Sequence, residues 1–469
     1  MTYDAAIIGG GVSGLATALA LKSAGYSVVV LERQVRPGGN AISERLPGGF
    51  LMEHGPSTMP NGAPAATDLS AMLDLDRQRR DLGSGVRRRY LARDNELSGI
   101  STHPLGLLSS GYLSLTGRAR LLAEMVIPRG GAGLGADETI AQFCTRRFGA
   151  EITERIFEPL VGGIYAGLAS ELSVTSLFPR LVAFERQHGS VTRGVLTNML
   201  SGTRMPGRRL FSWQDGIGTL PKALTGVLGA AVRSGVAVRD VGRTAEGFRV
   251  DLGPDGRLGA RAVVLATQPH VSAQLIEGLD PDAAEAAGSI PAPPLAVVYL
   301  GMERRQVDHP LDGLGFLSAP SEGRLANGAQ FCSTMFPGRA PDGSASISVY
   351  FGGARAPDLA LRPADELIAM AREELRDLVG MTGNPVVARV RHWPRGLPQY
   401  GLGHSRRVAD IEAAGNRHPG LFMVGNYFRG PAVAACLEVA REQADAVSAF
   451  LGRHEDRGNS RHRTVMARN

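Results

Sequence analysis

Two short runs near the start, DAAII at 4–8 and SVVVLE at 27–32, are apolar without polar alternation. That is the pattern of parallel strands buried on both faces. Between them, about Ser13 to Ala24 has the length and composition of a helix. The pattern changes to helical periodicity over 104–200. It is clearest in SLTGRARLLAEMVIP (114–128) and ADETIAQFCTRRFGAEITERIFEPLV (136–161), with Thr116 and Asp137 as cap-like residues before the apolar period. LFSWQDGIGTLPKALTGVL (210–228) reads as strand, turn and helix, and 236–268 as short alternating strands. AVVYLGM, GLGFLSA, AQFCSTMF and ASISVYFG, between 296 and 352, read as further strands, followed by a helix over 363–380. The basic segment SGTRMPGRR (201–209) reads as a loop, and no internal repeat is present.

The pattern predicts an α/β protein: a Rossmann-like dinucleotide-binding domain, an inserted mixed-sheet substrate domain and a helical lobe. The expected limits are 1–85, 208–268 and 390–452 for the first, 86–207 for the lobe, 269–389 for the substrate domain, and a flexible tail at 453–469. A length of 469 residues requires more than one core.

Composition narrows the function classes. With 43% hydrophobic and 20% charged residues the chain is a globular protein. Its 51 basic and 45 acidic side chains leave +6, which suits an anionic substrate or an anionic lipid surface. No basic stripe interleaved with aromatics argues for nucleic acid. Cys144, Cys332 and Cys436 form neither a CxxC pair nor a zinc pattern, so a reduced, cytoplasmic protein without a metal is expected. The first strand begins almost at the N-terminus, which leaves no expected targeting peptide, and no apolar run is long enough to span a bilayer.

The strongest motif is Gly9-Gly10-Gly11-Val12-Ser13-Gly14, directly after a strand and opening a helix. Its glycines permit a tight turn and close approach of a pyrophosphate to a helix N-terminus. Glu32 ends the next strand, 18 residues beyond Gly14, where an acid binds ribose hydroxyls. Gly38-Gly39 and HGPST (54–58) offer two more backbone-exposing turns. Near the other end, GNYFRGPAVAACLEVA (425–440) repeats the strand, turn and helix logic, with a helix beginning near Ala432. Several loops over one ligand suit a large, permanently held dinucleotide. Both glycine motifs are therefore expected to serve one FAD, the first at its pyrophosphate and the last at its ring.

Over nearly the whole chain, to about Leu451, the sequence resembles the protoporphyrinogen/coproporphyrinogen oxidase family within the amine-oxidase-like flavoproteins. The resemblance rests on EPLVGGIYAGLASELSV (158–174), GIGTLPKAL (216–224), HPLDGLGFLSAPSEG (309–323), FPGRAPDGSASISVYFGG (336–353), WPRGLPQYGLGH (393–404) and GNYFRGPAV (425–433). It implies an FAD enzyme that removes hydrogen from a porphyrinogen in haem biosynthesis. Oxygen, or a quinone, would be the acceptor, with hydrogen peroxide formed when oxygen serves. The cofactor carries the chemistry, and the resemblance names no catalytic side chain.

By position, the resemblance implies Arg89 as the partner of a substrate propionate, Gly163 beside the macrocycle, and Leu317, Gln330 and Tyr350 around the pyrroles. Gln330 and Tyr350 depart from the family's leucine and phenylalanine. Toward FAD it implies Gly9 to Gly14, Glu32, Arg33, Gly39, Asn40, Gly55, Pro56, Ser57, Thr58, Val241, Trp393, Gly425, Asn426, Ala432, Val433 and Ala434. Asn40 stands where lysine or arginine is usual. His54, His392 and His404 receive no role as bases. The helical stretch corresponds to a lobe that faces a membrane in the family, so a peripheral position on the inner face of the cell membrane is an expectation.

One clearly placed arginine in an otherwise apolar pocket favours protoporphyrinogen IX over coproporphyrinogen III, whose extra propionates call for more cations. Other readings stay open: a related oxidase of another cyclic or amine substrate, or a non-catalytic flavin or porphyrin carrier. So does the oligomeric state, a homodimer included.

Overall fold

A computed structural model describes residues 2–100, 111–129, 137–200 and 210–466, with side chains to 452. The expected loop at 201–209 lies outside the described residues. Two seven-stranded sheets organise the chain.

The first sheet is built on Thr2–Ile8, which pairs in parallel with Val28–Glu32 on one side and Arg257–Leu265 on the other. Val232–Ser234 extends it beyond Val28–Glu32, and Leu421–Met423 pairs in parallel with the end of Arg257–Leu265. An antiparallel ribbon, Asp240–Thr244 with Gly247–Asp251, joins the beginning of Arg257–Leu265. Val28 to Leu31 are all buried, as the unbroken apolar run requires. Each such side chain contributes roughly 1.5–3 kcal/mol on burial. Register sets Ile8, Leu265 and Met423 at one level. The chain therefore leaves the sheet three times along one edge, at Gly9, Ala266 and Val424. The helices that follow the first and last exits, Val12–Ser23 and Val433–Met466, lie side by side. Thr17 Oγ1 donates to the Ala440 carbonyl at 3.4 Å, and the Tyr26 hydroxyl to that of Ser448 at 3.2 Å.

The second sheet runs in the order Val387–Trp393, Leu295–Glu303, Ser344–Gly352, Gly328–Gln330, Gly313–Ser318, Arg88–Arg93, Glu96–Ile100. One face is covered by the helix Ala364–Val379, which packs Leu367, Ala371 and Leu375 against Val298, Ile347 and Val349. The other face is shared. Towards Glu96–Ile100 it meets the helical lobe, where Leu91 joins Phe143, Val161 and Phe184. Towards Val387–Trp393 it meets the hairpin of the first domain, where Val297 and Tyr299 pack on Leu46, Phe50 and Met52.

Three expected limits shift. The helices Pro269–Ile276 and Pro281–Gly288 bury Leu275, Ile276 and Ala283 against the first sheet, not the second. Arg88–Ile100 belongs to the second sheet and not to the helical lobe, and Val387–Trp393 likewise to that sheet. In each case hydrogen bonding to a distant strand, or burial of one helix face, decides membership. The last helix continues to Met466, into the segment expected as a flexible tail. The helix caps also differ from expectation. Ser114, not Thr116, accepts from the Gly117 amide at 3.0 Å. Thr139 forms a capping box with Gln142. Asp137 instead accepts from Ser173 Oγ at 2.6 Å and the Gly403 amide at 3.0 Å.

Candidate functional site

The first turn is a cradle. The helix Val12–Ser23 starts at Gly11 with no side-chain cap, so its first amides face outward. A Cβ on Gly14 would lie 2.1 Å from the Gly9 carbonyl oxygen, so only glycine lets the helix sit this close to the strand. The Gly38 amide donates to the Gly10 carbonyl at 2.7 Å and pairs the second glycine turn with the first. Glu32 accepts from the Gly10 amide and from the Gln34 amide, both at 2.7 Å, so its carboxylate lies directly beside the cradle. An uncapped helix end, a backbone approach closed to any Cβ and an acid at the next strand end fit a dinucleotide. Arg33 follows, exposed, and Asn40 and Gly55 meet through backbone, a Cβ on Gly55 falling 2.7 Å from the Asn40 oxygen. Val241 is buried in the core it shares with Ile8 and Leu31.

At the other end, Gly425 and Asn426 follow the strand Leu421–Met423, and Ala432, Val433 and Ala434 begin the last helix. Two buried side chains hold this turn. The Tyr400 hydroxyl donates to the Asn426 carbonyl, and His404 Nε2 bonds the Tyr427 carbonyl at 2.7 Å. Burial lowers the His404 pKa, which fits a neutral ring donating from Nε2. His54 Nε2 is paired with Glu44 at 2.8 Å and His392 Nε2 with the Arg362 carbonyl at 2.9 Å, so each of the three histidines is held through Nε2. Trp393 Nε1 donates to the His54 carbonyl at 2.8 Å, and Arg391 lies over the Trp393 ring at 4.2 Å.

The expected substrate residues meet on the shared face of the second sheet. Leu317 pairs with Gly328 and Gly328 with Tyr350, so Leu317 and Tyr350 project to one side. Gln330, two residues past Gly328, shares that side, as do Leu91, opposite Leu317, and Arg89. Gly163, on the helix Glu158–Tyr165, closes over this row. A Cβ there would lie 2.2 Å from Leu317 Cδ2. Ser57 Oγ donates to Gln330 Oε1 at 2.9 Å, so the loop Gly55 to Thr58 touches the substrate face. The expected substrate residues thus share one face of the second sheet, and Ser57 of the expected cofactor loop touches that face through Gln330.

Electrostatics distinguish Arg88 from Arg89. Arg88 approaches Asp312 at 3.8 Å on the opposite face. Arg89 keeps solvent access, yet the surrounding protein lowers its pKa from the ordinary arginine value, and no opposing charge offsets that. The Tyr350 phenol is pushed well up by burial, with Cys332 and Glu53 adding to it, so it stays protonated.

Sequence reasoning missed Tyr400 and the part His404 plays in holding the last turn, and it missed a buried pair, Glu53 and Arg339, beneath the hairpin that leads into Gly55 to Thr58. Tyr400 and His404 lie within the family-like WPRGLPQYGLGH, which was the available signal. Nothing in the sequence links Glu53 to Arg339.

Comparison with known proteins agrees with this fold. Residues 12–448 match the family model described as flavin containing amine oxidoreductase. Among curated proteins, spinach protoporphyrinogen oxidase 1, chloroplastic, is 31% identical over 97% of this chain and 85% of its own length. The coproporphyrinogen III oxidase of Propionibacterium freudenreichii is 30% identical over 94% of this chain and 90% of its own. A crystal structure from Exiguobacterium sp. 255-15 superposes with a TM-score of 0.81 at 22% identity, covering 94% of this chain and 98% of that one. Reduced UDP-galactopyranose mutase shares the fold at a TM-score of 0.74 and 15% identity, covering 96% of each chain.

Proposed function

This chain belongs to the protoporphyrinogen/coproporphyrinogen oxidase family of FAD-dependent, flavin-containing amine oxidoreductases, and we propose that it oxidises protoporphyrinogen IX to protoporphyrin IX in haem biosynthesis, with oxygen as acceptor and hydrogen peroxide as by-product. The observation that supports this reading is that Arg89, Leu317, Gln330 and Tyr350 share one face of the second sheet, against which Gly163 packs and which Ser57 touches.

FAD, when bound, supplies the hydride-accepting chemistry. Gly9 to Gly14 would take its pyrophosphate, Glu32 its ribose, and the Gly425–Ala434 turn its ring end. The chain's own residues bind and orient the substrate. Arg89 offers a guanidinium to a propionate, a match that is bidentate by shape. Leu91, Leu317 and Tyr350 supply an apolar wall along the sheet, and Gly163 keeps the facing helix low enough for a flat macrocycle. No side chain is assigned as a base, and in this reading the substrate's pyrrole N–H protons leave to solvent.

Coproporphyrinogen III is the second reading, favoured by Gln330. A polar amide in this row suits a further carboxylate better than a vinyl group does. Peripheral membrane contact belongs to the same proposal. Leu115, Leu122 and Val126 are exposed along one side of the helical lobe. Among the described residues no helix is long and apolar enough to cross a membrane. Sedimentation with anionic vesicles would test that contact.

The deciding experiment mixes the FAD-loaded protein anaerobically with each porphyrinogen, follows loss of flavin absorbance, then admits oxygen and records porphyrin fluorescence and peroxide. Faster bleaching by protoporphyrinogen IX is the expected result. Faster bleaching by coproporphyrinogen III selects the second reading, and bleaching by neither overturns both.

A further inference from the structure

Arg89 and Gln330 stand on either side of Gly315. Gln330 pairs directly with Gly315 across one strand boundary. Arg89 lies across the next boundary, between the pairs Gly313–Arg88 and Phe316–Tyr90, where the register slips by one residue. Both side chains project to the cleft face. Gly315 carries none, and a Cβ there would fall 1.9 Å from the Ala329 oxygen. The row is therefore a slot with a backbone floor and two polar walls, two strand spacings or about 10 Å apart at the backbone. Both walls are long side chains that can lean inward.

Each wall has donors to spare. Among the described residues Arg89 has no acidic partner. The Gln330 amide oxygen is held by Ser57 Oγ at 2.9 Å, which fixes the amide plane and leaves its N–H groups for a ligand. Two donor groups on one sheet face, on either side of a glycine and without another partner among the described residues, suit a planar acceptor with negative charge, a carboxylate.

We propose that Gln330, positioned by Ser57 of the flavin-side loop, is the second prong of a carboxylate clamp whose first prong is Arg89. One propionate of the substrate is gripped from both sides. Because Ser57 belongs to the loop Gly55 to Thr58, this grip fixes the macrocycle relative to the cofactor as well as to the sheet. The inference rests on the porphyrinogen reading above and goes beyond it, naming the group recognised and the residue that recognises it.

The test uses the FAD-loaded protein and air-stable porphyrins, so binding is read without turnover. Quenching of porphyrin fluorescence is titrated with protoporphyrin IX and with its dimethyl ester, for the wild type, R89A, Q330L and the double variant. Each single change is expected to weaken the free acid about tenfold, as for one lost hydrogen bond to a charged group. The double variant should lose less than the product of the two, because both prongs hold one carboxylate. The ester should bind Q330L and the wild type alike. S57A should fall between wild type and Q330L, which separates orientation of the amide from its presence. Unchanged binding of the acid by Q330L, losses that multiply fully in the double variant, or an ester that weakens with Q330L as much as the acid would each overturn the clamp. If the wild type binds neither acid nor ester, the clamp and the porphyrinogen reading fall together. If it binds the acid but Q330L changes nothing, only the clamp falls.

Discussion

The Glu53 carboxylate and the Arg339 guanidinium meet at 2.7 Å, both buried, although 286 positions separate them. The pair joins the hairpin before the Ser57 loop to a turn of the second domain. Ser43 Oγ and the Ile217 amide donate to the same carboxylate, and Arg339 also reaches Ser212 Oγ at 2.8 Å. Removing the cation by R339M drives the Glu53 pKa higher still, so the acid is protonated at neutral pH and what is lost is the hydrogen bonding of Arg339. It should cost roughly 1–3 kcal/mol in chemical denaturation.

The same pair predicts a pH dependence. Burial pushes the Glu53 pKa up to about 7 against the opposing pull of Arg339, Ser43 and Ile217. An acid whose folded pKa is raised binds its proton more tightly in the folded state. Its contribution is present below the unfolded pKa and is lost as pH rises through the folded one. Wild-type stability should therefore fall between pH 4.5 and 7, and E53Q should flatten that part of the profile. A urea-midpoint series over this range checks it.

The helical lobe should behave in the opposite sense. Burial raises the Glu124 pKa, but donors from Ser190, Thr192 and Arg147 outweigh it and hold it near about 2. Stability from this group is present above pH 4.5 and lost as pH falls towards 2. E124Q is expected to cost roughly 2–3 kcal/mol at neutral pH and progressively less in acid. Denaturation at several acidic values, compared with neutral buffer, decides this.

Gly14 tests the cofactor cradle. Its missing side chain is the condition for the helix to sit against the Gly9 carbonyl. G14A should purify with little flavin, read as the ratio of flavin to protein absorbance. It should also lose the thermal shift that added FAD gives the wild type. Normal flavin content in G14A would contradict the cradle.

Gly163 tests the roof of the cleft. G163A forces Leu317 Cδ2 aside. Because a leucine end can swing, the fold should tolerate the change, with stability shifting by less than about 1 kcal/mol. Porphyrinogen KM should rise while flavin content stays normal, and adding L317A should restore much of the affinity. No recovery in the double variant would place the effect elsewhere.

The dinucleotide turn was legible because its motif is local. A glycine turn after a buried strand, with an acid at the next strand end, is a continuous piece of sequence whose geometry follows from backbone freedom. Arg89, Gly163, Leu317 and Tyr350 were nameable only through resemblance, since nothing local marks an arginine as the one of three that faces a cleft. The misplaced domain limits at 269–288, 88–100 and 387–393 have one cause. A strand or helix joins whichever sheet its hydrogen bonds or apolar face finds, however far away in the chain.

By itself, then, the sequence determined the dinucleotide turn, the buried parallel strands around it and the family to which they belong. These depend on residues within a few turns of one another. The tertiary structure alone decided that Ser57 meets Gln330, that Tyr400 and His404 hold the Asn426–Tyr427 backbone, and that Arg89 and Gln330 stand on strands either side of Gly315. Those relationships arise from strand order and register, which long-range packing sets and which local sequence does not encode.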